Sequence, residues 1–436
     1  MQAITVPWVP ANPTIPHPTY SGASHTLKGI GRYIPTTGTT SFMWDFGDGT
    51  APLAWTNLVT ATHSVMTTNG TNTAYNLGVS HTYTGAVGQT FIATLSIRNS
   101  ANPNDVKTAV YRVQIKDSGA LPANGQMDPN KMDVRIDMAV DQGLWYLHTT
   151  MARADYTDVS PGWKQPYGNW GASAASCTAL DAFLLHGSKP NKDYATDPYV
   201  ETSQRALNYI LANSQVAVIA AQNAGKPDYN LNGRGVVLTP YAVQGGNSET
   251  YVGGICGVAV ASSGTPTRQS LVGVATYVRG RTYKDIAQDM AEYFAWGQAD
   301  TTDALRGGWH YYGNLGGADG STNQWPLLAI AAAEDNMAIK TPTFVRTEAA
   351  YFMAATRHTA LDVNNGAADD HAAVLDRGAD REDVTGAARA RGGREGRHDA
   401  RGKQHGASNR HADLSRLGRG GARRRCASAS RPRGGA

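Results

Sequence analysis

Charge is scarce in this chain: Asp, Glu, Lys and Arg make up only 17% of its 436 residues. Thr, Asn, Tyr and Gly supply the polar surface instead, a balance common outside the cell. The formal charge of +4 is unevenly spread. From Leu361 onward there are 16 basic and 10 acidic residues, leaving 23 basic and 25 acidic residues before that point. A near-neutral body lacks the basic groove that phosphate neutralisation requires, so no nucleic-acid partner is expected. Long apolar runs are missing too. None reaches the ~18 residues of a membrane span, and none is expected. The opening MQAITVPWVP has neither a charged n-region nor an apolar h-region, so no leader is read in it. That leaves either an intracellular chain or one whose natural beginning lies earlier, and the abrupt start of an extracellular-looking first region favours the second expectation.

Cysteine is equally sparse. Cys177, Cys256 and Cys426 include no Cys-x-x-Cys pair and make no disulfide framework. Cys177 and Cys256 fall in expected helices and are read as small buried residues. Neither has a His and carboxylate companion at ligand spacing, so no zinc, other metal or cofactor is expected.

Turn residues, by contrast, are plentiful, with 48 Gly and 20 Pro. Residues 1–120 consist of short alternating segments divided by such turns. Phe91, Ala93, Leu95 and Ile97 alternate with Ile92, Thr94 and Ser96, and Tyr111, Val113 and Ile115 continue in phase. Several strands at this spacing predict an all-β sandwich. Thr40–Trp44 runs into Asp45-Phe46-Gly47-Asp48-Gly49-Thr50, a tight-turn signal. Trp44–Thr50 resembles the W-D-F-G-D-G-T signature of PKD domains, and Ser80-His81-Thr82-Tyr83 is similar to that family's H-x-Y segment. The resemblance covers about 29–116, with a longer insert at Ala51–Leu77 expected to form a hairpin or loop. It implies an immunoglobulin-like fold serving as a spacer or binding module on secreted or surface proteins, without catalysis. Asp45, Asp48 and Gly49 are read as structural turn residues.

After a linker at 121–135, periodicity changes from two to about 3.6 over 136–360. Ile136, Val140, Gly143, Leu144 and Leu147 fall on one helical face. Asp197-Pro198 predicts a helix start, with Val200, Leu207, Ile210 and Leu211 facing inward. Thr282 is expected to cap a helix with Ile286, Met290, Tyr293 and Phe294 in phase. Thr341-Pro342 repeats the Asp-Pro device before Phe344, Val345, Tyr351 and Phe352. Between these helices lie three small-residue segments, each preceded by a serine: Ser173, Ser248 and Ser321. Aligning the serines places Leu180, Ile255 and Leu328 at one offset. A second repeat reinforces the register. Gly162-Trp163 with Tyr167-Gly168-Asn169 matches Gly308-Trp309 with Tyr312-Gly313-Asn314, and 240–247 holds a degenerate copy. Such a repeat predicts an inner layer of small-residue helices backed by amphipathic ones.

Gly307-Gly308-Trp309, Asp319-Gly320-Ser321 and Gln324-Trp325 resemble the helical-hairpin repeats of terpenoid cyclases and protein prenyltransferases. The resemblance is partial and implies an α/α toroid, here with about three hairpins and so an incomplete ring, open to an assembly partner. The cyclases' Asp-rich acid cluster and the prenyltransferases' zinc set are both missing. His310, Tyr311 and Asp319 are the catalytic candidates. Trp163, Tyr167, Trp170, Trp309, Tyr312, Asn323, Gln324 and Trp325 are the binding candidates, aromatics beside amides and a carboxylate being suited to sugars. The competing expectation is that the Asp319 and Trp309 groups only cap and wedge the hairpins.

The last 76 residues contain no Phe, Trp, Tyr, Met or Ile. Such a segment cannot bury enough surface to order itself. It is expected to be disordered, and its abrupt onset fits a reading frame lost after about Asn364. The sequence thus predicts a multidomain β-then-α chain, an extracellular or surface binding or structural protein. Its expected partners are carbohydrate or another surface protein. The alternatives are a toroid enzyme of lyase or cyclase type and a subunit of a larger surface assembly.

Overall fold

The computed structural model describes residues 1–59, 63–66, 74–118, 129–151, 169–239 and 249–356. Trp163, Tyr167, the middle repeat at 240–247 and the tail at 361–436 lie outside these residues, and only the helical backbone of Trp170 is described. Met1–Ala367 forms one compact unit.

Sheets occupy the N-terminal part, and helices follow. The strands are β1 (Gln2–Thr5), β2 (His17–Tyr20), β3 (Ser24–Leu27), β4 (Gly29–Arg32), β5 (Thr40–Asp45), β6 (Thr56–Asn57), β7 (Ser64–Met66), β8 (Ala74–Asn76), β9 (Val79–Thr82), β10 (Thr90–Asn99) and β11 (Asn102–Lys116). One sheet has the order β1-β4-β8-β7, another β2-β11-β10-β5-β6, and β3 pairs with β9. Alternation decides which side chains enter the core. Phe91, Ala93, Leu95 and Ile97 are buried while Ile92 is exposed; opposite them Tyr111, Val113 and Ile115 are buried while Val106 and Val110 are exposed. Trp44, paired with Leu95, is fully buried, and its indole donates to the Leu77 carbonyl at 2.7 Å.

The turn after β5 is held by its own aspartates. Asp45 Oδ1 accepts from the Gly47 amide (2.9 Å), and Asp48 Oδ1 accepts from the Thr50 amide (3.0 Å) and hydroxyl (2.6 Å). Asp48 Oδ2 meets His81 Nε2 at 2.7 Å. Gly47 has φ 71°, and a Cβ there would lie 2.1 Å from the Ile92 carbonyl oxygen, so only glycine fits.

The helices are α1 (Pro129–Thr150), α2 (Asn169–His186), α3 (Tyr199–Ala212), α4 (Tyr251–Ser262), α5 (Tyr283–Gly297), α6 (Gln324–Met337) and α7 (Phe344–Thr356). A ribbon of β12 (Gln215–Val218) and β13 (Arg234–Val237) separates α3 from α4. α4 packs between α2 and α6, α3 packs on α2, and α5 packs on α4, α6 and β13. Small residues make the close approach of α4 feasible. A Cβ on Gly254 would sit 2.6 Å from Trp325 backbone, and one on Gly257 would sit 2.4 Å from Met290 Sδ. The inward faces of α3 (Val200, Leu207, Ile210, Leu211) and α5 (Ile286, Met290, Tyr293, Phe294) are buried as their periodicity requires.

Four expectations need correction. Cys177 and Cys256 are not separate buried thiols but a disulfide with Cα atoms 4.8 Å apart, joining α2 to α4 across 79 residues of sequence. That adjacency is tertiary and leaves no local spacing signal. On α1, Ile136 and Val140 are exposed, whereas Asp141, Leu144, Trp145 and His148 form the buried face. The helix, which starts inside the stretch read as linker, turns its charged residue inward because partners wait there. The serines do not mark equivalent helix starts: α2 begins before Ser173, and α4 and α6 begin after Ser248 and Ser321. Leu180 is accordingly buried, Ile255 half-buried and Leu328 50% exposed. Finally, Thr282 Oγ1 accepts from the Asp285 amide (3.1 Å) and Asp197 Oδ1 from the Tyr199 amide (2.9 Å), but Thr341 Oγ1 makes no hydrogen bond.

The sheets and helices share a core. Val6, Ile30 and Ala74 belong to the same buried cluster as Leu144, Trp145, Leu180 and the α3–α5 residues. At that junction Lys28, with no exposed surface, donates to Asp141 Oδ2 at 2.5 Å, while His17 Nδ1 lies 3.1 Å from Asp141 Oδ1.

Candidate functional site

The segment joining α5 to α6 crosses the start of α4. The Thr250 amide donates to the Tyr311 carbonyl at 3.1 Å, and the Thr250 hydroxyl donates to the His310 carbonyl. These bonds set His310 and Tyr311 beside the first residue of α4, Tyr251. Its ring lies 5.9 Å from Tyr311 and 5.8 Å from Trp325, the latter edge-on at 65°. His310 in turn lies 6.2 Å from Tyr312 with near-parallel planes. Tyr251, His310, Tyr311, Tyr312 and Trp325 thus make an aromatic shelf of half-buried rings. Gln324 is exposed at its edge, its amide donating to the Ser321 carbonyl at 3.3 Å. Two polar atoms of the shelf, His310 Nδ1 and Trp325 Nε1, are buried without a hydrogen-bond partner among the described residues, which is costly unless something else satisfies them.

The polar candidates have separate employments. Asp319 Oδ1 accepts from the Ser321 amide (2.8 Å) and from its hydroxyl, which in turn lies 3.3 Å from the Tyr311 hydroxyl. The Ser321 hydrogen bonds hold the Asp319 carboxyl below the usual range, so at neutral pH it is a carboxylate that fastens a turn. Trp309 and Asn323 brace the hairpin. Asn323 Oδ1 accepts from the Trp309 amide (2.7 Å), Asn323 Nδ2 donates to the Asp319 carbonyl (2.6 Å), and the Trp309 indole donates to the Phe294 carbonyl (2.8 Å). Together with Gln324, Leu327, Phe352 and Met353 they border a cavity of about 310 Å³ beside α6 and α7. His310, Tyr311 and Asp319 do not line it. The catalytic and binding candidates therefore divide between shelf, turn and cavity rather than converging on one reactive point.

Tyr251 had no place among the sequence candidates. Its signal was an aromatic at the head of an otherwise small-residue helix, which shows only once α4 and α6 are neighbours.

The other polar cluster lies at the sheet–helix junction. His17, His25 and Asp141 bring three potential ligand atoms within 4.8 Å of one another. Lys28 occupies the same space, however, and His17 Nε2 is already within 2.9 Å of the Val6 carbonyl. Burial opposes ionisation of Asp141, but the charges of His17 and Lys28 outweigh it and hold the carboxyl well below its ordinary range. Burial, reinforced by the Lys28 and His17 charges, pushes the His25 ring down to about 3. The group is an ion-paired junction in which the Lys28 ammonium already takes up the Asp141 carboxylate. The disulfide likewise withdraws Cys177 and Cys256 from any thiolate chemistry.

No family model matches the chain, and no curated protein matches it. Among solved structures, it is similar to the PKD domain of an M14-like peptidase from Thermoplasmatales archaeon SCGC AB-540-F20. Identity is 13% and the TM-score 0.17, over 23% of this chain and 88% of that domain. No helix among the described residues is long and apolar enough to cross a membrane.

Proposed function

We propose that this chain is an extracellular or surface-associated binding protein whose aromatic shelf receives a carbohydrate. In this reading the β part is a PKD-type immunoglobulin-like sandwich serving as spacer or adhesive module. The helical part is an arc of an α/α toroid presenting the shelf. The sandwich is supported by the alternating residues of β5, β10 and β11, Trp44 and Leu95 among them, which fill a core that Ala3 of β1 and Tyr75 of β8 border from the other sheet. The arc is supported by the packing order α2, α4, α6, small-residue helices side by side with α3 and α5 behind them. Support for an oxidising location comes from the Cys177–Cys256 disulfide, a bond rarely kept where thiol reductants dominate.

The observation that carries the binding role is the shelf itself. Tyr251, Tyr311 and Trp325 offer ring faces and edges, while the exposed Gln324 amide offers hydrogen bonds. Sugars present apolar C–H faces and hydroxyls together, which matches that mixture. A glycan array probed with the full chain, followed by titration of the best oligosaccharide, tests the proposal. Trp325→Ala and Tyr311→Ala should each weaken binding roughly tenfold or more, the ~1–2 kcal/mol of one ring contact, while the thermal midpoint stays near that of the parent. Absence of any glycan binding, or variants that bind as well as the parent, would refute it.

A further inference from the structure

The loop between β12 and β13 carries Asp228-Tyr229-Asn230-Leu231-Asn232-Gly233, oxygen-bearing side chains at every second position followed by glycine. This is the spacing with which calcium loops supply ligands from positions one, three and five, the glycine at six making a sharp turn. The loop is folded accordingly. Asp228 accepts from the Asn232 amide (3.2 Å) and the Gly233 amide (2.7 Å), Asn230 Oδ1 from the Asn232 amide (3.0 Å), and Asn232 Oδ1 from the Arg234 amide (2.7 Å). Gly233 has φ 70°.

Helix α5 supplies what the loop lacks. A loop of this spacing takes its last ligand from an acid at position twelve, which here is Thr239. Glu292, on α5 and without exposed surface, stands in for it: its Oε1 accepts from the Asn230 amide at 3.0 Å. Its other oxygen, Oε2, is buried with no hydrogen-bond partner among the described residues, although the carboxyl is pinned against the loop. Gln288 donates to Oε1 at 2.8 Å and so does not relieve it. A buried acid oxygen without a donor, beside a loop that presents oxygen atoms, is a position that a cation would satisfy.

Asp289 has a different task. Arg281 pairs with both its oxygens, and its Oδ1 accepts the side-chain amides of Asn230 and Asn232, each at 3.1 Å. With their nitrogens fixed there, the two asparagines keep their carbonyl oxygens on the loop side. Arg281 and Asp289 cancel, leaving Asp228 and Glu292 as two negative charges against one divalent cation.

We propose that this loop binds one calcium ion through Asp228, Asn230, Asn232 and Glu292, with the main-chain carbonyl of Arg234 at position seven. Neutral amide oxygens and a loop clasped by a separate helix suit calcium's flexible coordination better than the strict octahedron of magnesium. The site lies apart from the shelf and does not depend on its ligand. The test is titration calorimetry of the chelator-stripped full chain with calcium chloride, with magnesium chloride as control, alongside thermal unfolding. The expected result is one calcium per chain with a Kd below about 1 mM and a midpoint raised by several degrees, magnesium having a smaller effect. Asp228→Asn and Glu292→Gln, both checked for native circular dichroism, should weaken calcium at least tenfold. A parent chain that ignores calcium would overturn the proposal by showing a hydrogen-bonded brace only, as would two folded variants that bind calcium like the parent.

Discussion

Asp197 shows how a single side chain can serve as both cap and burden. Its Oδ1 accepts from the Tyr199 amide at 2.9 Å, and the carboxyl is almost fully buried. Burial raises its pKa from 3.8 to about 6, against the opposing hydrogen bonds from Ser188 and Tyr199. The folded state therefore keeps a proton that the unfolded chain releases near pH 4. The stability this proton confers is fully present below about pH 4 and is lost as pH rises through 6, amounting to ~2–3 kcal/mol. Asp197→Asn keeps the cap oxygen without the charge. In urea unfolding at successive pH values, its stability relative to the parent should grow between pH 4 and 7. A difference that stays constant over that window would exclude the mechanism. At this scale the sequence was partly readable. Asp197, Thr282, Asp45 and Asp48 sit beside amides that their own chain positions supply, so local pattern finds them. Thr341 failed as a cap despite the same Thr/Asp-Pro spacing, because its hydroxyl is buried without an amide in reach.

At the scale of elements, hydrophobic period separated strand from helix and found the inward faces of α3 and α5. It misplaced the face of α1, because Asp141 is drawn inward by Lys28 and His17, more than a hundred residues away in sequence. The disulfide was out of reach for the same reason: two cysteines 79 residues apart are joined only through the packing of α2 on α4. The Asp228-x-Asn230-x-Asn232-Gly233 loop passed unread although its pattern is local, and its acid partner Glu292 leaves no local signal at all. Closing a loop of that length with a disulfide stabilises a fold by ~2–4 kcal/mol. Reduction, or Cys177→Ser with Cys256→Ser, should lower the denaturant midpoint accordingly. Chain from an oxidising compartment, denatured without reductant, should take up one alkyl group, on Cys426. Uptake of three would mean that α2 and α4 are not covalently joined.

On the scale of the whole molecule, the question is whether β and α parts are neighbours or one body. Val6, Ile30 and Ala74 packing into the helical core, and Asp141 reaching back to Lys28, argue for one body across Met1–Ala367. Removing the carboxylate would strand a buried ammonium, at ~3–5 kcal/mol. A spacer free to swivel would have no use for such a junction, so the proposed surface module holds its shelf at a fixed angle to its β part. Scanning calorimetry of the full chain tests this most directly. The account requires one cooperative transition spanning sheets and helices, shifted as a whole to lower temperature by Asp141→Ala. Two separate transitions, with one of them indifferent to Asp141→Ala, would contradict it.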